Sequence, residues 1–190
     1  MNNPLRAAVQ RRFEGPRLLQ MGGALAGGTA LEIGCGCGAG VGIILDLFEA
    51  RSVDGFDLDP RMVCLARARL KSKGSQVRLW VGEATAIAAR DASYDAVFDF
   101  GMIHHVPAWR AVLAESFRVL KPGGRFYAEE ALAGLICHPA VRGLLDHPQA
   151  DRFDTAAFCR GLLDVGFEAP VTQELWRSFG WFVTTKPGSP

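Results

Sequence analysis

Apolar residues at four-residue steps, Leu5, Val9 and Phe13, predict an amphipathic helix over 6–19. A glycine-marked loop at 22–28 leads into a strand at 29–33 that closes on Gly34, and a helix follows over 41–49. A second strand reads over 52–57. Asp59-Pro60 is then a helix start, with a capping carboxylate and a proline at the first helical position, and this helix runs to about Lys73. A third strand is expected at 76–81. The run 94–100 is apolar except at Asp95 and Asp99, the signature of a strand buried on both faces. A helix over 109–120 stops at Lys121-Pro122-Gly123-Gly124, and a fifth strand follows at 125–130.

This alternation places the chain in the α/β class, with a parallel sheet covered on both faces. The end of the chain breaks the pattern. A helix over 155–165 precedes two strands, 167–175 and 181–185, joined by a turn at 178–180; so short a connection predicts an antiparallel edge pair. No repeat or polar linker divides the sequence, so one domain over 1–190 is expected, with 1–28 as an N-terminal helix and lead-in. Residues 131–154 have weak periodicity, contain Pro139 and Pro148, and suggest a short helix near 140–145. Lying beyond a strand's C-terminal end, that segment is placed to cover a substrate.

Composition narrows the function classes. With 21 basic and 20 acidic side chains, the net charge of +1 provides no bulk field for nucleic acid or membranes. The best apolar run, 41–48, is broken by Asp46 and falls well short of the ~20 residues a membrane span needs. Arginines and Glu14 interrupt any leader-like stretch near the start. Five cysteines, an odd number with no C-x-x-C pair, argue against a disulfide framework and for a cytoplasmic protein; no spacing typical of a zinc site occurs, so no metal is expected. His138 and His147 read as surface residues, and Arg67, Arg69, Lys71 and Lys73 as a solvated helix face. Glycine stands out at 22 of 190, with ten of them before residue 43.

The densest of those glycines form Glu32-Ile33-Gly34-Cys35-Gly36-Cys37-Gly38, where the first strand turns into a helix. Such a loop brings backbone close to a ligand and aims free helix N–H groups at a negative moiety. The spacing alone leaves several readings open. Gly34-x-Gly36-x-x-Ala39 also fits a dinucleotide fingerprint, and a purely structural loop satisfies it too. Asp57, at the tip of the second strand, is suited to accept both hydroxyls of a ribose, or is a turn residue.

Taken in order, several short motifs resemble the class I S-adenosylmethionine-dependent methyltransferases. They are Glu32-x-Gly34-x-Gly36-x-Gly38, Gly55-Phe56-Asp57, Gly82-Glu83-Ala84, Tyr94-Asp95-Ala96-Val97, Ile103-His104-His105-Val106 and Leu120-Lys121-Pro122-Gly123-Gly124. The likeness covers 29–130 and is greatest to the small-molecule group that includes ubiquinone and menaquinone biosynthesis. It implies a Rossmann-like three-layer α/β/α sandwich with a mostly parallel seven-stranded sheet, S-adenosyl-L-methionine as cofactor and S-adenosyl-L-homocysteine as product. It further implies that Gly34, Gly36 and Gly38 pass beneath the methionine part, with Glu32 fixing the loop or reaching the amino group. Asp57 would hold the ribose, Leu58 and Met62 would flank the adenine, Glu83 and Ala84 would meet its edge, and Phe100 would lie near the methionine moiety.

Methyl transfer from a sulfonium is an in-line displacement in which positioning and exclusion of water supply most of the acceleration. A base is needed only where the nucleophile carries a proton. His104 and His105, directly after the fourth strand, are the candidates, with Glu130 at the end of the fifth strand orienting one of them. Structural histidines and solvated strand-end carboxylates at Glu129 and Glu130 are the alternatives. Trp109, Phe153, Phe158, Trp176 and Trp181 are candidates to roof a pocket for a small-molecule acceptor, or are core. The chemistry expected is methylation of an O, N or C atom. A non-catalytic S-adenosylmethionine-binding protein and a nicotinamide-dependent oxidoreductase remain as alternatives, and the sequence leaves the oligomeric state open.

Overall fold

The protein is described over residues 4–137 and 152–188 of a computed structural model. Its strands are β1 (Thr29–Ile33), β2 (Ser52–Asp57), β3 (Val77–Val81), β4 (Tyr94–Phe100), β5 (Leu120–Ala131), β6 (Val171–Leu175) and β7 (Phe179–Thr185). They form one sheet in the order β3-β2-β1-β4-β5-β7-β6. β1 pairs in parallel with both β2 and β4, so the chain reverses its direction of travel across the sheet there, and a crevice opens at the C-terminal ends. β7 is antiparallel to β5 and to β6, which makes it the one reversed strand of the described sheet.

The helices are α1 (Pro4–Val9), α2 (Gly15–Gly22), α3 (Ala39–Leu47), α4 (Pro60–Arg69), α5 (Trp109–Val119), α6 (Ala133–Ile136) and α7 (Thr155–Asp164). Between α1 and α2 the predicted amphipathic helix is continuous, but a π-helical turn at Gln10–Glu14 runs through it. Asp59 caps α4 as expected, accepting from the Arg61 N–H at 2.9 Å. Side chains alternate across each strand and so sort into two cores. Ala30, Phe98 and Tyr127 pack with Leu18, Ile44 and Val63 of α2, α3 and α4; Leu31, Val97 and Phe126 pack with Val112 and Leu162 of α5 and α7. Those are the two outer layers of the sandwich. No helix among the described residues is long and apolar enough to cross a membrane.

Several boundaries differ from the sequence reading. α3 starts and ends two residues earlier, and α4 ends at Arg69 rather than near Lys73, with a 3-10 turn following at Lys71–Gln76. β5 begins at Leu120, which pairs with Tyr94, and Lys121, Pro122, Gly123 and Gly124 bulge out before Arg125 pairs with Ala96. β6 is shorter than read and β7 longer, and their turn lies earlier: Trp176 and Arg177 both adopt left-handed φ, 51° and 57°, and Leu175 already pairs with Phe179. Gly180, which suggested the turn, is inside β7, where a Cβ would lie 2.6 Å from the Phe182 ring. Phe167 precedes β6 and packs on Phe117 and Phe126 at ring distances of 5.0 and 5.7 Å. Of the covering segment expected at 131–154, only its two ends are described. Residues 138–151, with the suggested helix at 140–145 and with His138 and His147, lie outside the described residues.

Candidate active site

The glycine loop leaves β1 at the sheet's centre and is tied to β2 by two contacts. The Cys35 N–H donates to the Phe56 carbonyl at 2.8 Å, and the Gly36 N–H to Asp57 Oδ2 at 2.8 Å. Asp57 Oδ1 accepts from the Asp59 N–H at 2.9 Å, so the carboxylate links the loop to the start of α4. Each oxygen keeps a further lone pair for a ligand. Gly34 has φ of +66°, and a Cβ there would meet Met102 at 2.3 Å. Gly40, in the first turn of α3, tolerates no side chain either: its Cβ would lie 2.0 Å from Glu32 Oε1 and 2.7 Å from the Phe100 ring.

These elements bound two adjoining cavities. The larger, of about 550 Å³, is lined by Glu32, Gly34, Gly36, Asp57, Met62 and Phe100, with Arg6, Ala7 and Gln10 closing one side. The smaller, of about 350 Å³, is lined by Phe56, Leu58, Glu83, Ala84, Val106 and Pro107. Gly34, Asp57, Met102 and His105 belong to both, so the two are halves of one cleft. Glu83 is exposed and accepts from the Thr85 hydroxyl; Leu58 is exposed at the mouth. The cleft thus gathers nine of the ten expected cofactor contacts. Gly38 is the exception: with φ of +80° it faces Leu70 and Ala66, where a Cβ would stand 2.7 and 3.1 Å away, and it seats the loop on α4.

The catalytic candidates separate. His105 lines both halves of the cleft, whereas His104 lines neither and is buried, with its Nδ1 sharing a hydrogen bond with Glu130 Oε2. Glu130 does orient a histidine, but it is the one facing away. Nor are the strand-end carboxylates solvated: Glu129 and Glu130 are both buried, and alternation sends them to opposite faces of the sheet. Glu130 meets His104 and the buried Asp99, while Glu129 receives Arg6 Nη2 at 2.7 Å. The five aromatic residues named as a roof do not line the cleft. Trp109, Phe153 and Phe158 pack together in the α5–α7 core, Trp181 lies under the Arg17 guanidinium at 4.3 Å, and Trp176 stands exposed on its turn. The expected basic face does not lie on one helix and is only partly solvated: Arg67 of α4 donates to the Leu79 carbonyl, and Lys73, in the turn beyond α4, pairs with Asp46.

Burial sets the protonation states. It holds the Glu32 and Asp99 carboxyls well above the usual range, the latter aided by Glu130. Burial also pushes Glu130 up to about 8, and together with Glu129 it pushes Glu14 up to about 7. His104 is pushed down to about 4 by the same desolvation, so it and Glu130 form a neutral pair. A raised carboxyl means the folded chain holds a proton that the unfolded chain releases, so stability falls as pH rises toward the folded value. His104 acts in the opposite sense, but only below its ordinary value of 6.5. Between pH 6.5 and 8 the carboxyls therefore set the slope. Thermal melts across that interval are expected to show stability lost on the alkaline side, by about 2 kcal/mol for each carboxyl that stays protonated throughout. A flat or rising profile would contradict the assignment.

Arg6, Ala7, Gln10, Gly40, Met102 and Asp99 were not singled out in the sequence. Gly40 stood next to the recognised loop, and Asp99 was visible as a charge in an apolar strand. The contribution of the N-terminal helix had no local signal.

A family model described as a methyltransferase domain matches residues 30–124. A protein of Mycolicibacterium smegmatis described as a probable S-adenosylmethionine-dependent methyltransferase is 40% identical over 101 residues, covering 53% of this chain and 37% of the relative. The ubiquinone biosynthesis O-methyltransferase of Xanthomonas axonopodis pv. citri is 36% identical over 103 residues, covering 54% and 42%. The chain therefore matches less than half the length of either relative. In three dimensions, a SAM-dependent methyltransferase from Aquifex aeolicus superposes with a TM-score of 0.77 at 18% identity, covering 97% of this chain and 94% of the other.

Proposed function

Because the chain belongs to the methyltransferase-domain family, with class I S-adenosylmethionine-dependent enzymes as its relatives, we propose that it transfers a methyl group from S-adenosyl-L-methionine to an O, N or C atom of a small-molecule acceptor. The observation that carries this reading is the pairing of Asp57 with Glu32 across a glycine-walled cleft. Glu32 accepts from the Val41 N–H, while its buried Oε2 has no hydrogen-bond partner among the described residues. An ammonium group would supply the missing donor. Gly34 and Gly40 keep open the volume that side chains would fill. The residues present thus fit a ligand with a cationic amino-acid end and a ribose.

When bound, S-adenosylmethionine supplies an electrophilic methyl on a sulfonium. The residues of this chain have the other tasks. Asp57 accepts the ribose hydroxyls while its bond to Gly36 keeps the loop in register. Leu58, Met62 and Ala84 offer apolar contact to the adenine, and Glu83 a polar one. Phe100 and Met102 exclude water from the methionine half. His105 is placed to receive a proton from an acceptor that must lose one; His104 and Glu130 hold the turn on which it sits.

Calorimetry with S-adenosylhomocysteine and with NAD tests the cofactor, and release of S-adenosylhomocysteine across a panel of small-molecule acceptors tests the reaction. Tight NAD binding without S-adenosylhomocysteine binding would overturn the reading, and binding with no turnover on any acceptor would favour a non-catalytic role. For a hydroxyl or amine acceptor, His105→Ala is expected to lower kcat by roughly 10²–10⁴-fold with little change in S-adenosylhomocysteine affinity. An unchanged kcat would remove His105 from proton transfer.

A further inference from the structure

The N-terminal helical segment is held in two different ways. α2 is built into the core: Leu18 is fully buried, Tyr127 Oη donates to the Gly22 and Gly23 carbonyls at 3.0 and 2.8 Å, and Arg125 donates to the Gly22 and Ala24 carbonyls. α1 has little such support, with Leu5 69% exposed and Ala8 exposed. Among the described residues, Arg6 ties α1 to the sheet, its guanidinium donating to Glu129 on β5 and to Glu14 in the π turn. Gly101 makes room for the bridge, since a Cβ there would lie 3.3 Å from Arg6 Nη2 and 3.4 Å from Glu129 Oε2. The π turn at Gln10–Glu14 separates the anchored part from the tethered part, and its two buried polar residues are Gln10 and Glu14. π turns of this kind occur often at functional sites.

The tethered part is also a wall of the cleft, through Arg6, Ala7 and Gln10. From this we propose that α1 is a strap whose docking is coupled to occupation of the cleft, with Arg6 as the positioning residue that holds it closed. The proposal rests on the cofactor reading of the cleft. A ligand in the larger cavity touches a wall that exists only when α1 is docked, so binding shifts the strap toward the docked state. By reciprocity, loss of the Arg6 bridge weakens binding. None of the strap's apolar residues from Leu5 to Val9 is fully buried, with Leu5 and Ala8 exposed and Ala7 and Val9 half-buried, so it opens more readily than the sheet.

Hydrogen exchange of the full chain, with and without saturating S-adenosylhomocysteine, tests this directly. In the wild-type protein the ligand is expected to slow exchange of amides 5–14 by about tenfold or more, beyond any change in the core of β1 and β4. Arg6→Ala is expected to speed exchange of 5–14 in the free protein, leave β1 and β4 protected, and weaken S-adenosylhomocysteine binding by about tenfold. Arg6→Lys, which keeps the charge, is expected to restore part of both effects. A wild-type protein that binds S-adenosylhomocysteine with no change in exchange at 5–14 would overturn the strap and leave the cofactor reading standing. No binding to the wild-type protein would overturn the cofactor reading and the strap with it. The wild-type comparison decides the matter even where Arg6→Ala folds poorly.

Discussion

Asp57→Ala is expected to weaken S-adenosylhomocysteine binding by two orders of magnitude or more, the largest loss of affinity among single substitutions in the cleft. Two effects act together. The carboxylate is proposed to accept both ribose hydroxyls, and hydrogen bonds to a charged group contribute about 1.5–3 kcal/mol each. It also holds the Gly36 and Asp59 N–H groups at 2.8 and 2.9 Å, so its loss frees the loop that shapes the cleft. Asp57→Asn separates the two effects. One amide oxygen can still accept, but the amide nitrogen cannot, so an intermediate loss is expected. Titration calorimetry reads both, and an affinity for Asp57→Ala within threefold of wild type would remove Asp57 from the site.

The largest loss of stability is expected at Glu130. It is fully buried, it shares a hydrogen bond with His104 Nδ1, and the His104 N–H approaches both of its oxygens at 3.3 Å. Glu130→Ala leaves a void in a close-packed region and a buried neutral imidazole without its hydrogen-bond partner, a combination that costs about 3–5 kcal/mol. Glu130→Gln is expected to cost far less, because the carboxyl it replaces is pushed up to about 8 and is already largely protonated at neutral pH. Urea unfolding at pH 7 checks both. Equal losses for the two variants would mean that Glu130 is charged in the folded protein.

Much of the architecture was legible because its signals are local. The strands at 29–33, 52–57 and 94–100 were read to the residue: the first and last close on Gly34 and Gly101, and 52–57 stops just ahead of the Asp59-Pro60 helix start. Asp59-Pro60 carried its helix start in two adjacent residues. The hairpin turn was misplaced for the opposite reason. Gly180 resembles a turn glycine, yet it is glycine because the Phe182 ring lies over it, a fact of packing that no local pattern records.

The candidate site divides along the same line. The residues of the glycine loop and Asp57 were identifiable because the ligand they suit dictates both their type and their spacing along a strand–loop–helix unit. Which histidine of the His104-His105 pair faces the cleft depends on the short helical turn at Ile103–His105 and on where Glu130 lies across the sheet. Adjacent residues with the same chemistry look alike in sequence and differ only once alternation assigns them a face, as Glu129 and Glu130 also show. Arg6 lies more than a hundred residues from Glu129 and meets it only because the N-terminal helix crosses the end of β5. Sequence by itself determined the class of fold and the kind of ligand, since both rest on patterns a few residues long. The tertiary structure alone decided which carboxylates are buried, which histidine reaches the cleft and what closes its open side, because those depend on contacts between segments remote along the chain.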